Sequence, residues 1–194
     1  MLRRSAPTFG RYLLVRHPAP AGGDTLHDDM HREAAAALRR AGHQVKVTDL
    51  ARVASRTADL GEEKSKLQWA EVVVVNAPLE CGFQLPQPLK EWCDDVAAAA
   101  DTGAPKKVLL GVTTTSPSEA FASHRVRGGL RGVTRPLLRT VNTSGTLAAV
   151  APYVVCGAAT AEPTDKAHEM AAWRARLLTV GAERTPMPQT IGCA

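Results

Sequence analysis

The chain has 194 residues, 44% of them hydrophobic and 22% charged, a balance ordinary for one globular domain with a full core. Only 4% of it is aromatic, so Ala, Val and Leu must build that core. The net charge of +5 comes from arginines spread along the chain, without the clustering or motif support of a nucleic-acid binder, and it suits a basic crevice for phosphorylated or acidic cofactors.

Residues 1–10 read as a loose leader before a first strand over Arg11–Arg16. Pro18, Pro20 and the Gly22-Gly23 pair then predict a loop. Thr25-Leu26-His27-Asp28 has the Ser/Thr-x-x-acid form of a helix start. Leu26, Met30, Ala34, Leu38 and Ala41 recur at helical spacing until Gly42. A second strand follows over 44–48, then an irregular polar stretch over 49–60. A short helix over 62–69 feeds a strand over 71–76. Pro86 and Pro88 suit the first turn of the next helix, whose apolar face is Leu89, Trp92, Cys93 and Val96. Gly103 and Pro105 precede a fourth strand over 107–113. The connection over 116–132 is long and polar, the mark of a functional loop. A helix over 136–141, a fifth strand over 147–156 broken near Pro152, and a last helix capped by Thr164 complete the domain. The alternation predicts an α/β fold: a doubly wound, five-stranded parallel sheet between two helical layers over 11–180, with a tail over 181–194.

Cys81, Cys93, Cys156 and Cys193 have no short paired spacing, so no zinc or redox CxxC pattern is present. No run is long and apolar enough to span a bilayer, and residues 1–11 lack a secretion signal's apolar stretch. A cytoplasmic protein with reduced thiols is expected. His27 and His31 stand one helical turn apart near Asp24 and Asp28, but with no second half-site they read as a solvated helix face rather than a metal centre. Trp69, Trp92 and Trp173 read as core.

Two loops carry the candidate chemistry. The apolar run 72–75 ends in Asn76-Ala77-Pro78-Leu79-Glu80-Cys81-Gly82-Phe83, and the strand over 107–113 ends in Thr113-Thr114-Thr115-Ser116. Both should be carboxyl ends of neighbouring parallel strands, where open α/β sheets bind ligands.

These loops, together with His17, the Ala41-Gly42-His43 junction, Glu63-Lys64-x-Lys66-Leu67-x-Trp69, Leu89-Lys90-x-Trp92 and Pro152-Tyr153-Val154-Val155, resemble the flavodoxin-like NAD(P)H:quinone oxidoreductases. The resemblance implies FMN or FAD as cofactor, NAD(P)H as hydride donor, and a quinone or related aromatic acceptor. It implies flavin phosphate contacts from His17, Thr25 and Lys64, with Leu26 also among the cofactor-binding residues. It implies ring contacts from Pro78, Leu79, Phe83, Thr113, Thr114, Thr115, Ser116 and Phe121. It also implies a homodimer, with the partner completing the crevice and the helix from Pro86 contributing its apolar face. The Arg125 to Arg139 run is either a solvated face or the crevice entrance, where NADPH's extra phosphate would be drawn.

The chain departs from the family pattern at defined places. Glu80, Cys81 and Gly82 replace two bulky residues, one residue longer, and Thr115-Ser116 replace two glycines. A carboxylate beside the flavin would oppose its reduction. If no flavin binds, Glu80 and Cys81 are the acid–base or nucleophile candidates, since they alone in that loop can transfer a proton or form a bond, against a plainer reading that leaves Glu80 in solvent and Cys81 in packing. The alternative function is a homologue with a degenerate flavin site that binds, and transforms without redox change, a bulky apolar metabolite resembling a natural product.

Overall fold

The computed structural model describes residues 10–17, 25–54, 59–79, 85–122, 129–142 and 145–184. Its strands are β1 (Arg11–Arg16), β2 (Gln44–Asp49), β3 (Val72–Pro78), β4 (Lys106–Thr113), β5 (Leu147–Ala149) and β6 (Tyr153–Val155). Its helices are α1 (Thr25–Arg40), α2 (Leu50–Ala54), α3 (Leu60–Trp69), α4 (Gln87–Trp92), α5 (Ser118–Ala122), α6 (Gly129–Asn142) and α7 (Pro163–Val180). All strand pairs are parallel, in the order β2-β1-β3-β4-β5, with β6 also on β4. The order reverses direction between β1 and β3, which opens a crevice outside their carboxyl ends.

Alternate residues along the strands feed two cores. Leu13, Val15, Val73, Val75, Leu110 and Val112 face a layer made of α2, α3, α4 and α6. Tyr12, Leu14, Val72, Val74 and Leu109 face α1 and α7. Both faces of β3 are covered, which is why it reads as bare valine.

Three expectations are corrected. The stretch over 49–60 is not irregular throughout: Leu50 and Val53 are buried on α2, and Asp59 opens α3 by accepting hydrogen bonds from the amides of Gly61 at 2.7 Å and Glu62 at 3.3 Å. The connection after 116 contains α5 and an α6 that begins at Gly129, seven residues before the expected helix. The fifth strand is broken around Pro152 as expected, into two short strands, because the missing N–H of that residue cannot join a ladder. Glu162, not Thr164, is the residue before α7, and it makes no side-chain cap.

The helix from Pro86 also differs from its expected role. It runs on into a π-helical turn over Cys93–Ala97. Leu89, Trp92 and Val96 are each 0% exposed, so the chain's own core consumes this apolar face. Trp173 is buried as expected, and Trp69 is half-buried with the Lys46 ammonium 4.6 Å from its ring centre.

The last helix is fastened to the sheet by one buried cation. The Lys107 ammonium donates to the carbonyls of Val180 at 3.1 Å, Gly181 at 2.8 Å and Glu183. It satisfies groups that a helix end leaves open and sits at the negative pole of the dipole. Lys107→Met keeps the apolar stem but strands those carbonyls. We expect it to lower the unfolding free energy by about 2 kcal/mol in urea titrations, whereas Lys106→Met, on an exposed bond to the Gln68 carbonyl, should cost well under half of that.

Candidate functional site

Four strand ends converge on the crevice. At β1, the His17 amide donates to the Asn76 carbonyl at 3.1 Å, tying the two strand ends together. The His27 Nε2 lies 2.9 Å from the His17 carbonyl, which can only accept, so Nε2 carries the proton. His27 is 0% exposed, so the solvated face expected for it is wrong. Arg16 pairs with Asp28 at 3.1 Å on the same side.

The β4 end is held from both sides. The Leu79 amide donates to the Thr113 carbonyl at 2.8 Å, which seats the start of the β3–α4 loop beside it. The Thr114 amide donates to Val155 at 2.9 Å, Ala158 to Thr114 at 3.0 Å, and Gly157 to Ser116 at 2.8 Å. Gly157 has φ of 65°, which lets the β6 turn fold back onto residues 114–116. The Ser116 amide donates to the Thr114 hydroxyl at 3.2 Å.

The structure therefore brings His17, Pro78, Leu79, Thr113, Thr114, Thr115 and Ser116 to one edge of the sheet. Thr113 and Thr114 are buried, Thr115 is exposed, and Pro78, Leu79 and Ser116 are half-buried. Leu26 is fully buried in the α1 core, and Phe121 is buried on α5. Thr25 is the first residue of α1, and its side chain lies outside the described part. Lys64 sits half-buried on α3, in the helical layer opposite α1, so it does not join His17 and Thr25 on one face. Glu80, Cys81 and Phe83, with Arg125 and Arg127, lie outside the described residues.

The described thiols are poor nucleophiles. Burial and Asp94 push the Cys93 thiol up to about 12. Burial, then Glu169 and Glu119, raise that of Cys156. Burial and a hydrogen bond to Glu169 likewise raise the Tyr153 phenol; its hydroxyl donates to that carboxylate at 2.5 Å. What the edge offers instead is shape and hydrogen bonding. The Asn76 amide and the Thr113 hydroxyl are buried there without a partner among the described residues. A flavin fits this set. It asks for an apolar edge, polar groups at the strand ends, and a helix N-terminus such as that of α1 for its phosphate. Sequence reasoning did not single out Asn76 as a site residue, although it is the one polar residue in a run of valines.

Known proteins share this fold. The ribosyldihydronicotinamide dehydrogenase [quinone] of Pongo abelii is 30% identical over 148 residues, 70% of this chain and 63% of that protein. The chain thus spans somewhat under two thirds of that relative's length. The NAD(P)H:quinone oxidoreductase of Methanothermobacter marburgensis superposes with a TM-score of 0.70 at 15% identity, over 91% of this chain and all of that one. The general stress protein 14 of Treponema denticola, solved with FMN, gives 0.65 at 19% identity over 89% and 98%. The flavodoxin-like family model matches residues 12–179, nearly every element from β1 to α7, and the chain belongs to that family.

Proposed function

We propose that this protein is an NAD(P)H-dependent flavoprotein that passes two electrons to a quinone or related aromatic acceptor. The observation that carries the reading is the paired strand ends at Leu79 and Thr113-Thr114, in a chain 30% identical to a quinone dehydrogenase over 148 residues. Bound FMN or FAD supplies the hydride chemistry. The chain's own residues bind and orient. Pro78 and Leu79 offer an apolar edge, Thr113 and Thr114 fix the β4 end, and His17 with the first turn of α1 faces the phosphate. Net charge of +5 favours the approach of an anionic nicotinamide cofactor. The reading includes a domain over 11–180 and a cytoplasmic location. It includes a homodimer resting on the family resemblance, since the α4 face is already spent on the core. Light scattering at micromolar concentration reports the dimer.

The purified protein should be yellow, or should take up added FMN or FAD near stoichiometry, and should oxidise NAD(P)H when a quinone is present. Glu80→Gln and Cys81→Ala should fold and keep turnover within about threefold, because hydride transfer through a flavin needs no protein nucleophile. A colourless protein that takes up neither flavin removes this reading and favours the non-redox metabolite binder. Loss of turnover in a folded Glu80→Gln or Cys81→Ala variant would place that residue in the chemistry.

A further inference from the structure

β3 is VVVVNAP, and Asn76 is fully buried in it. Its side chain continues the face of Val72 and Val74, toward α1 and α7. Thr113 continues the same face on β4, two residues beyond Gly111, which is the register partner of Asn76. A Cβ at Gly111 would stand 2.7 Å from the Trp173 ring and 3.0 Å from the Asn76 amide nitrogen, so indole and carboxamide share the space above it. Neither the Asn76 oxygen, its nitrogen, nor the Thr113 hydroxyl has a hydrogen-bond partner among the described residues. Each such orphan costs stability, and an apolar side chain of like shape would not incur that cost. Polar groups held in a core against stability are characteristic of ligand sites.

We infer that Asn76, with Thr113, recognises the polyol chain of the bound flavin; this rests on the flavin reading above. The carboxamide presents a donor and an acceptor together, and the threonine hydroxyl presents both. A phosphate or carboxylate accepts only and would leave the Asn76 oxygen without a donor. A hydroxyl donates and accepts at once, so a run of hydroxyls satisfies all three atoms. The position agrees. With the ring at Leu79 and Thr114 and the phosphate at the first turn of α1, the linking chain passes the carboxyl end of β3, where Asn76 stands.

The test compares wild type with Asn76→Leu and Thr113→Val. It reads the melting temperature without ligand and the fluorescence-derived affinity for FMN, riboflavin and lumiflavin, which lacks the polyol. Asn76→Leu should melt at or above the wild-type temperature, bind FMN and riboflavin about tenfold more weakly, and bind lumiflavin unchanged. Thr113→Val should follow the same pattern more weakly. Unchanged FMN affinity in a folded variant overturns the inference, and so does an equal loss for lumiflavin. A ligand-free Asn76→Leu that melts several degrees lower also overturns it, since the amide would then be satisfied within the protein. Should Asn76→Leu not fold, Asn76→Ser decides by the same FMN and lumiflavin comparison. A wild-type protein that binds none of FMN, FAD and riboflavin overturns the flavin reading itself, and this inference with it.

Discussion

Replacing Trp173 with alanine should lower the unfolding free energy by about 4 kcal/mol, a large part of what a domain of this size possesses. The indole is 0% exposed. Its N–H donates to the Met30 carbonyl of α1 at 2.9 Å, its ring lies 5.3 Å from that of Tyr153 on β6, and its edge lies over Gly111 of β4. One side chain thus joins α7, α1 and two strands. Alanine would leave a large cavity there, and the neighbours are fixed to strands and helices that cannot all close in. Trp173→Phe should cost about half as much, because it keeps an aromatic body and loses the N–H bond. The effect should reach the crevice as well. α1 is held to α7 through this residue, and the first turn of α1 faces the expected phosphate, so flavin retention should weaken along with stability. Urea unfolding and flavin titration of the two variants measure both consequences. A Trp173→Ala protein within 1 kcal/mol of wild type would contradict this account of the packing.

The fold was legible because its signals were local and repeated. The valines of β3 and the spacing of Leu26, Met30, Ala34 and Leu38 each announced an element without tertiary context. The misses had specific physical causes. α2 is five residues long, too short for periodicity to show, and it exists because Leu50 and Val53 cover the sheet. Asp59 is an N-cap inside a polar stretch that resembles a loop. The apolar face after Pro86 looked wide enough for a second subunit because the sequence does not show how much of the core α2 and α3 leave uncovered. At the site, the strand ends were readable, since a buried strand followed by Pro-Leu or Thr-Thr marks a carboxyl edge. Lys64 was placed with the phosphate contacts by resemblance alone, and nothing local to it reveals that α3 packs on the face opposite α1. The unpartnered state of Asn76 among the described residues was hidden for another reason. An asparagine among valines stands out, but whether its amide finds a partner is decided by Gly111 and Trp173, far along the chain. His27 and His31 were misread because Leu26, Met30, Ala34 and Leu38 already formed a complete stripe. α1 lies close enough to β1 and β2 that the flank beside that stripe is covered too.

Between pH 6.5 and 4 the protein should lose stability through His31. Its side chain lies on the covered flank of α1, and its Nδ1 is buried without a partner among the described residues. Burial first, then Arg16 at the end of β1 and His27 on α1, lower its pKa to about 4, while Asp28 of α1 and Asp49 of β2 pull weakly the other way. In the unfolded chain the imidazole returns to about 6.5. The unfolded state therefore binds one more proton across this window. Since stability rises with pH wherever the unfolded state holds more protons, it falls as the solution is acidified from 6.5 toward 4. Below 4 both states are protonated and this contribution stops changing. The shift corresponds to at most roughly 3 kcal/mol, less what the partial exposure of the ring screens. His31→Gln keeps a polar side chain that does not titrate. Urea unfolding at pH 7 and pH 4 should show the variant losing about 2 kcal/mol less than wild type over that interval. Carboxylates that titrate in the same range contribute to both proteins and cancel in the comparison. Equal losses in wild type and His31→Gln would mean that the imidazole reaches solvent and titrates freely, and that the covered flank of α1 opens more readily than its packing implies.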